Sequence, residues 1–184
     1  MNSLFTLVAA AGIAGAGISA LAQSAPAAPE PRLHTQTSFD LLVHAPYAVT
    51  APLFGPNGER AWAGKHWNPE FIHPQPGSDV EGAVFTIQHG AHTATWVTTI
   101  SDVESRHFQY VYFLSDLMVT VIDVRFKPIS ADATAVHVVY TRTALTPEGN
   151  PHVIAMTEGD KTAGKEWQEA IDEYLARGKD GVRP

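Results

Sequence analysis

The chain contains no cysteine, which excludes disulfides, thiolate zinc sites and cysteine nucleophiles together. Positive charge is nearly as scarce. Only 12 Lys and Arg stand against 19 Asp and Glu in 184 residues, a formal net charge of −7 with no basic cluster. The positive stripe that nucleic acid or an anionic membrane surface requires is therefore missing. No Gly-x-Ser-x-Gly and no phosphate-cradling glycine loop occurs, so the sequence signatures of serine hydrolases and nucleotide enzymes are absent too. Past residue 22, no apolar run is long enough to span a bilayer. What is present, 45% hydrophobic and 17% charged residues, is the composition of one ordinary globular domain.

Residues 1–22 read as a signal peptide. An uncharged stretch from Leu4 to Leu21, rich in Ala and Gly, closes with Ala20-Leu21-Ala22 before Gln23, the small-x-small pattern of a cleavage site. The expected location is the periplasm or the exterior, with no stable membrane insertion once the leader is cut. Retention as an anchor is the alternative, and a segment this rich in Ala and Gly inserts weakly. Residues 23–34, dominated by Ala and Pro, read as a flexible linker; 35–178 form the folded domain and 179–184 a C-terminal tail.

Alternation defines a first strand from Thr37 to Val43, ended by Ala45-Pro46, after which Tyr47 to Phe54 is expected to make one or two helical turns. From Gly55 to Ser78 the prolines and glycines predict irregular chain, whose Trp62, Trp67 and Phe71 are too apolar to face water and should plug one end of the core. Five strand-like runs follow: Glu81–His89, Thr93–Ser101, Arg106–Leu114, Leu117–Lys127 and Thr134–Leu145. The gaps between them are too short for anything but an antiparallel meander. Parity places Phe85, Ile87, Trp96, Ile100, Phe108, Tyr110, Tyr112, Ile122, Val124, Phe126, Val136, Val138 and Tyr140 on the inner face, and His107, Gln109, Ala135 and His137 outside. Ala163, Trp167, Ala170, Ile171 and Tyr174 then make one helical stripe, which Arg177-Gly178 is expected to end.

This order predicts an α+β fold in which a curved antiparallel sheet of six to seven strands wraps around a long C-terminal helix. It also predicts a hollow. Six or seven strands at ~4.8 Å each make a surface ~30 Å wide, whereas a helix with its side chains covers ~10–12 Å. Bulky side chains, the short upstream segments or a guest molecule must fill the remainder.

In its order of elements the chain resembles the START-like or SRPBCC superfamily, the helix-grip fold, and within it the bacterial polyketide-cyclase-like branch. The words that carry the likeness are His44-Ala45-Pro46, Trp67-Asn68-Pro69, Gly82-Ala83-Val84-Phe85, Thr134–Tyr140 and Trp167–Leu175. The superfamily has no universal catalytic motif to transfer. The resemblance implies an apolar cavity between sheet and helix that holds a lipid-like or polyketide-like ligand.

The residues expected to line that cavity are Phe85, Ile87, His89, Trp96, Tyr110, Tyr112, Tyr140, Arg142 and Trp167. Rings with polar tips suit a moderately polar hydrophobic guest. His89 ends a strand with inward parity and can exchange a proton near neutral pH or bond a ligand carbonyl, although a structural role at its turn competes. Arg142 continues the inner parity and must be paired or near the rim. It can hold a ligand carboxylate, and a salt bridge to Glu166 or Glu169 is the plainer expectation. Asp160 and Lys161 read as a solvated helix face. His66, His73, His89 and His92 invite a metal site, but their spacing matches no zinc signature, so neither a metal nor a cofactor is expected.

The leading functional expectation is an exported protein that holds a hydrophobic small molecule, with no nucleic-acid partner and no protein partner identified. A cyclase- or dehydratase-like enzyme using acid–base groups in the same cavity is the first alternative, and an interaction module with a collapsed cavity the second.

Overall fold

Short turns between alternating runs allow only neighbour-to-neighbour antiparallel pairing, and the computed structural model, which describes residues 30–179, forms that meander. Its strands are β1 His34–Val43, β2 Glu70–His73, β3 Val84–His89, β4 His92–Asp102, β5 His107–Leu114, β6 Met118–Ser130 and β7 Ala133–Ala144. They make one sheet in the order β1-β7-β6-β5-β4-β3-β2, antiparallel throughout. Between β1 and β2 lie α1 Tyr47–Thr50, a 3-10 turn Ala51–Phe54 and α2 Pro56–Glu59, while a second 3-10 turn, Pro147–Gly149, leads into α3 Asn150–Lys179. The signal-peptide reading of residues 1–22 lies outside the described residues, as does most of the expected linker. No described helix is long and apolar enough to cross a membrane.

The expected inner face is buried almost throughout: Phe85, Ile87, Trp96, Phe108, Tyr110, Tyr112, Ile122, Val124, Phe126, Val136, Val138 and Tyr140 all belong to the core. Ile100 departs from it. The register of β4 against β5 shifts between Thr98 and Ile100, so Thr98 takes the buried position and Ile100 becomes half-buried. Simple alternation cannot anticipate such a bulge. His107 has the outward parity expected but is not exposed, because its Nε2 bonds Asp123 Oδ2 at 2.6 Å and its neighbours cover it. That contact, with Gln109 and Arg125 bonding the same carboxylate, lowers the Asp123 pKa against the opposing effect of burial.

Two boundaries differ from the sequence reading. A four-residue β2 lies inside the stretch expected to be irregular, pairing Phe71 with Phe85 at the sheet edge. Helix α3 begins at Asn150, directly after Pro147–Gly149, and Thr157, Gly159, Thr162 and Gly164 interrupt the hydrophobic period of its first half. It also runs through Gly178 to Lys179, and Gly178 has no left-handed φ.

Helix α3 packs chiefly on β1 and, less closely, on β7, the first two strands of the sheet. Gly164 permits this approach: a Cβ there would lie 3.1 Å from the Phe39 ring and 3.2 Å from the Asp40 carbonyl oxygen. Over the inner face of β3, β4 and β5, α3 contributes Met156 against Tyr112, and α2 with the chain that follows it stands opposite Phe85, Trp96 and Tyr110.

Candidate functional site

The hollow lies between the sheet, α3 and the chain after α2. Its volume is about 480 Å³, walled by Trp96, Tyr112, Tyr140 and Arg142 from the sheet, by Trp62 and Trp67 from the chain after α2, and by Met156, Gly159, Asp160, Trp167 and Ala170 from α3. Gly159 and Ala170 supply almost no side chain to fill it. A recess of about 40 Å³ between Phe85, Tyr110, Ile122 and Val124 shares Glu59, Trp67, Trp96, Tyr140 and Trp167 with the larger space. The cavity is therefore open rather than collapsed.

Its sheet wall is built by cross-strand register. Phe85 pairs with Trp96 and Trp96 with Tyr112, and cross-strand partners stand side by side on one face. Their rings consequently stack: Phe85 and Trp96 are 5.8 Å apart at 17°, and Trp96 and Tyr112 are 4.3 Å apart at 24°. His89 joins the stack 5.9 Å from Tyr112. It reaches this position because Gly90, at φ 59°, opens the two-residue turn into β4, a conformation that favours glycine.

Several polar atoms of the wall have no partner. His89 Nε2 and Trp96 Nε1 are buried without a hydrogen bond, as is Arg142 Nε. Burial, helped by the nearby His66, lowers the His89 pKa from its ordinary 6.5, so the ring is neutral near pH 7. The rest of the Arg142 guanidinium is engaged. Its Nη2 donates to Asp160 Oδ1 at 2.9 Å and its Nη1 to Asp160 Oδ2, while Thr37 Oγ1 donates to the same carboxylate. Burial alone would lower the Arg142 pKa, but the bond and charge of Asp160 outweigh it and the pKa rises. The Asp160 pairing replaces the expected bridge to Glu166 or Glu169, and it overturns the reading of Asp160 as solvated: Asp160 is 9% exposed. Lys161 is exposed and bonds Glu158.

Of the expected lining residues, the structure brings Phe85, His89, Trp96, Tyr110, Tyr112, Tyr140, Arg142 and Trp167 to the two connected spaces. Ile87 is the exception and is core. Tyr110 presents its ring but not its hydroxyl, which donates to the Phe54 carbonyl at 2.7 Å. Trp62 belongs to the core and Trp67 packs against it, as expected, and both also wall the cavity, their indole N–H groups donating to the carbonyls of Leu53 and Pro56. The four metal-candidate histidines do not gather: His66 and His89 line the cavity, His92 packs against His152 and His73 lies exposed in β2.

Sequence reasoning missed Glu59, at the end of α2. It is 9% exposed and touches both spaces, and its carboxyl forms no hydrogen bond or ion pair among the described residues. Burial, and then repulsion from Asp79, hold its pKa well above the ordinary 4.5. The signal was a spacing. Glu59 precedes Trp62 by three and Ala63 by four, and the backbone N–H groups of both bond its carbonyl, so the turn continues and sets all three on one side.

A curved antiparallel sheet gripping one long helix around an aromatic hollow defines a helix-grip α+β fold. Solved structures share it. Norcoclaurine synthase from Thalictrum flavum, in complex with dopamine and hydroxybenzaldehyde, superposes with a TM-score of 0.59 at 14% identity over 79% of this chain and 88% of its own. The Zhui aromatase/cyclase from Streptomyces sp. R1128 gives 0.56 at 15% identity, covering 79% of this chain and 96% of its own. An uncharacterised protein from Rhizobium leguminosarum gives 0.57 at 11%, covering 80% and 97%. No family profile matches the chain, and no curated protein matches it. At these identities the likeness establishes the fold, and the function must be argued from the site.

Proposed function

We propose that this is an exported binding protein that holds a hydrophobic small molecule between its sheet and α3. The observation that carries this reading is the open space of about 480 Å³, walled by indoles and phenols yet edged with unbonded polar atoms. Apolar wall with a few oriented polar groups is the composition of a ligand pocket, and orphaned buried donors are destabilising unless a ligand or water meets them. The test uses N-phenyl-1-naphthylamine, an uncharged dye. Its fluorescence rises and saturates on binding the wild type, and Ala170→Trp, which fills the cavity, weakens binding about 10-fold or more, a loss of ~1.4 kcal/mol or greater. Dye binding unchanged by that substitution overturns the proposal. The apolar leader ending Ala20-Leu21-Ala22 supports export, with Gln23 the expected first residue of protein isolated from its source; an intact Met1 in a cytosolic fraction would count against it.

A second reading, an acid–base enzyme of the cyclase kind, draws on the neutral His89 ring with its free Nε2 at the wall. A poly-β-ketone thioester incubated with the protein should then give a cyclised product that His89→Ala abolishes while leaving dye affinity intact. Equal turnover by both proteins removes His89 from any such role.

A further inference from the structure

All four tryptophans of the chain line one cavity: Trp62, Trp67, Trp96 and Trp167. They arrive from the segment after α2, from β4 and from α3, so the fold gathers them and no local run explains it. Among them sits Glu59, a residue nine-tenths buried whose carboxyl bonds no described residue. A buried carboxyl without a partner is destabilising, and an indole face attracts a cation.

The charges around the space favour one sign. Arg142 is the single cationic side chain lining it apart from the imidazoles of His66 and His89, and Asp160 already holds it. Three carboxyls line the same space, Glu59 from α2 and Asp160 and Glu166 from α3; the phenols of Tyr112 and Tyr140 complete the titratable set. Behind Glu59 lies Asp79, whose carboxylate accepts bonds from Asn57 N and Nδ2. No lysine lines either space. An anionic ligand would meet an acid surplus and a guanidinium already taken.

We infer that the ligand carries an organic ammonium group, held against the indole faces with the Glu59 carboxylate as its counter-ion. This rests on the ligand-holding reading above and names the ligand class. Burial and Asp79 raise the Glu59 pKa, so wherever the carboxyl is protonated an arriving cation displaces that proton to solvent, and affinity rises with pH. Loss of charge from His89 on raising the pH acts in the same direction.

The test compares benzyltrimethylammonium with its uncharged carbon isostere, neopentylbenzene, by the fluorescence of the cavity tryptophans. Glu59→Gln should weaken the cation about 10-fold, the scale of one desolvated ion pair or cation–π contact, and change the isostere by less than about 2-fold. In the unaltered protein, cation affinity should climb as pH is raised above 4.5 while isostere affinity stays level, a result independent of whether the variant folds. If the isostere binds and the cation does not, or if Glu59→Gln or pH moves both alike, the ammonium assignment falls and the hydrophobic pocket stands. If neither compound binds, both readings fall.

Discussion

The two halves of the interior pack their rings in opposite ways. Around Phe126, rings meet edge to face: Phe54 at 5.3 Å and 80°, Phe108 at 5.1 Å and 70°, Tyr47 at 5.7 Å and 60°. Polar tips there are satisfied, Tyr47 donating to Val103 and Tyr110 to Phe54. Across β3, β4 and β5, rings lie parallel, and the indole of Trp96 and the imidazole of His89 keep unbonded nitrogens. Phe54 comes from outside the sheet and crosses Phe126, as Trp67, also from outside it, crosses Trp96 at 5.4 Å and 81°, whereas Phe85, Trp96 and Tyr112 stack on one another as cross-strand neighbours. Stacking within one layer builds a wall, and closing a core needs a second layer.

The largest expected effect falls in the closed half. Phe54 is 1% exposed, and Phe54→Ala should destabilise the domain by about 3–5 kcal/mol through lost burial and a new cavity. Urea unfolding followed by circular dichroism measures it. A loss below about 1 kcal/mol would show that this half is as loosely filled as the other and would erase the contrast.

Two indoles of the cavity wall, one bonded and one not, sharpen the comparison further. Trp62 Nε1 donates to the buried Leu53 carbonyl at 2.7 Å, so Trp62→Phe leaves that oxygen unpaired and should lose about 1–3 kcal/mol. Trp96 Nε1 has no partner, so Trp96→Phe removes an orphaned donor and should be the milder change by about 1–2 kcal/mol. Equal losses in the same unfolding experiment would mean that something, water included, already satisfies Trp96.

The same division separates what the sequence discloses from what it withholds. Period-two alternation disclosed the meander and nearly all of its inner face, because a strand must send alternate residues to one side. The cavity-facing Trp96, Tyr112 and Tyr140 came with that face. Arg142 was legible as an inward charge in need of a partner, but the acids expected to hold it, Glu166 and Glu169, lie further along the helix than the one that does, Asp160. Asp160 precedes Ala163 by three and Trp167 by seven, which puts it on the stripe that was read, yet an acid beside Lys161 looks solvated until the helix is placed on the sheet. Glu59 was harder. Pro56-Asn57-Gly58-Glu59 has the composition of a surface turn, and only the return of that turn across β3–β5 buries its last residue. Local pattern reports what one element presents, and these two acids are defined by what a distant element brings against them.

Glu59→Gln carries the smallest expected effect on stability and the most telling sign. Because burial and Asp79 raise the folded pKa of Glu59 above its ordinary 4.5, the native state retains a proton that the unfolded chain gives up. Stability of the wild type must then fall as pH rises from about 4.5 toward the folded value, since folding binds protons throughout that interval. Glutamine has no proton to hold, so the variant should lack that contribution to the slope, and its melting temperature should gain on the wild type with each step upward in pH. Below the ordinary value the advantage should vanish, because both chains are then neutral at this position in either state. Parallel melting curves across the interval would mean that Glu59 titrates as a surface acid does, its carboxyl reached by water through the opening. The parallel-ring half would then be a hydrated cleft, and the contrast with the edge-to-face half would be one of solvent access rather than of missing side chains.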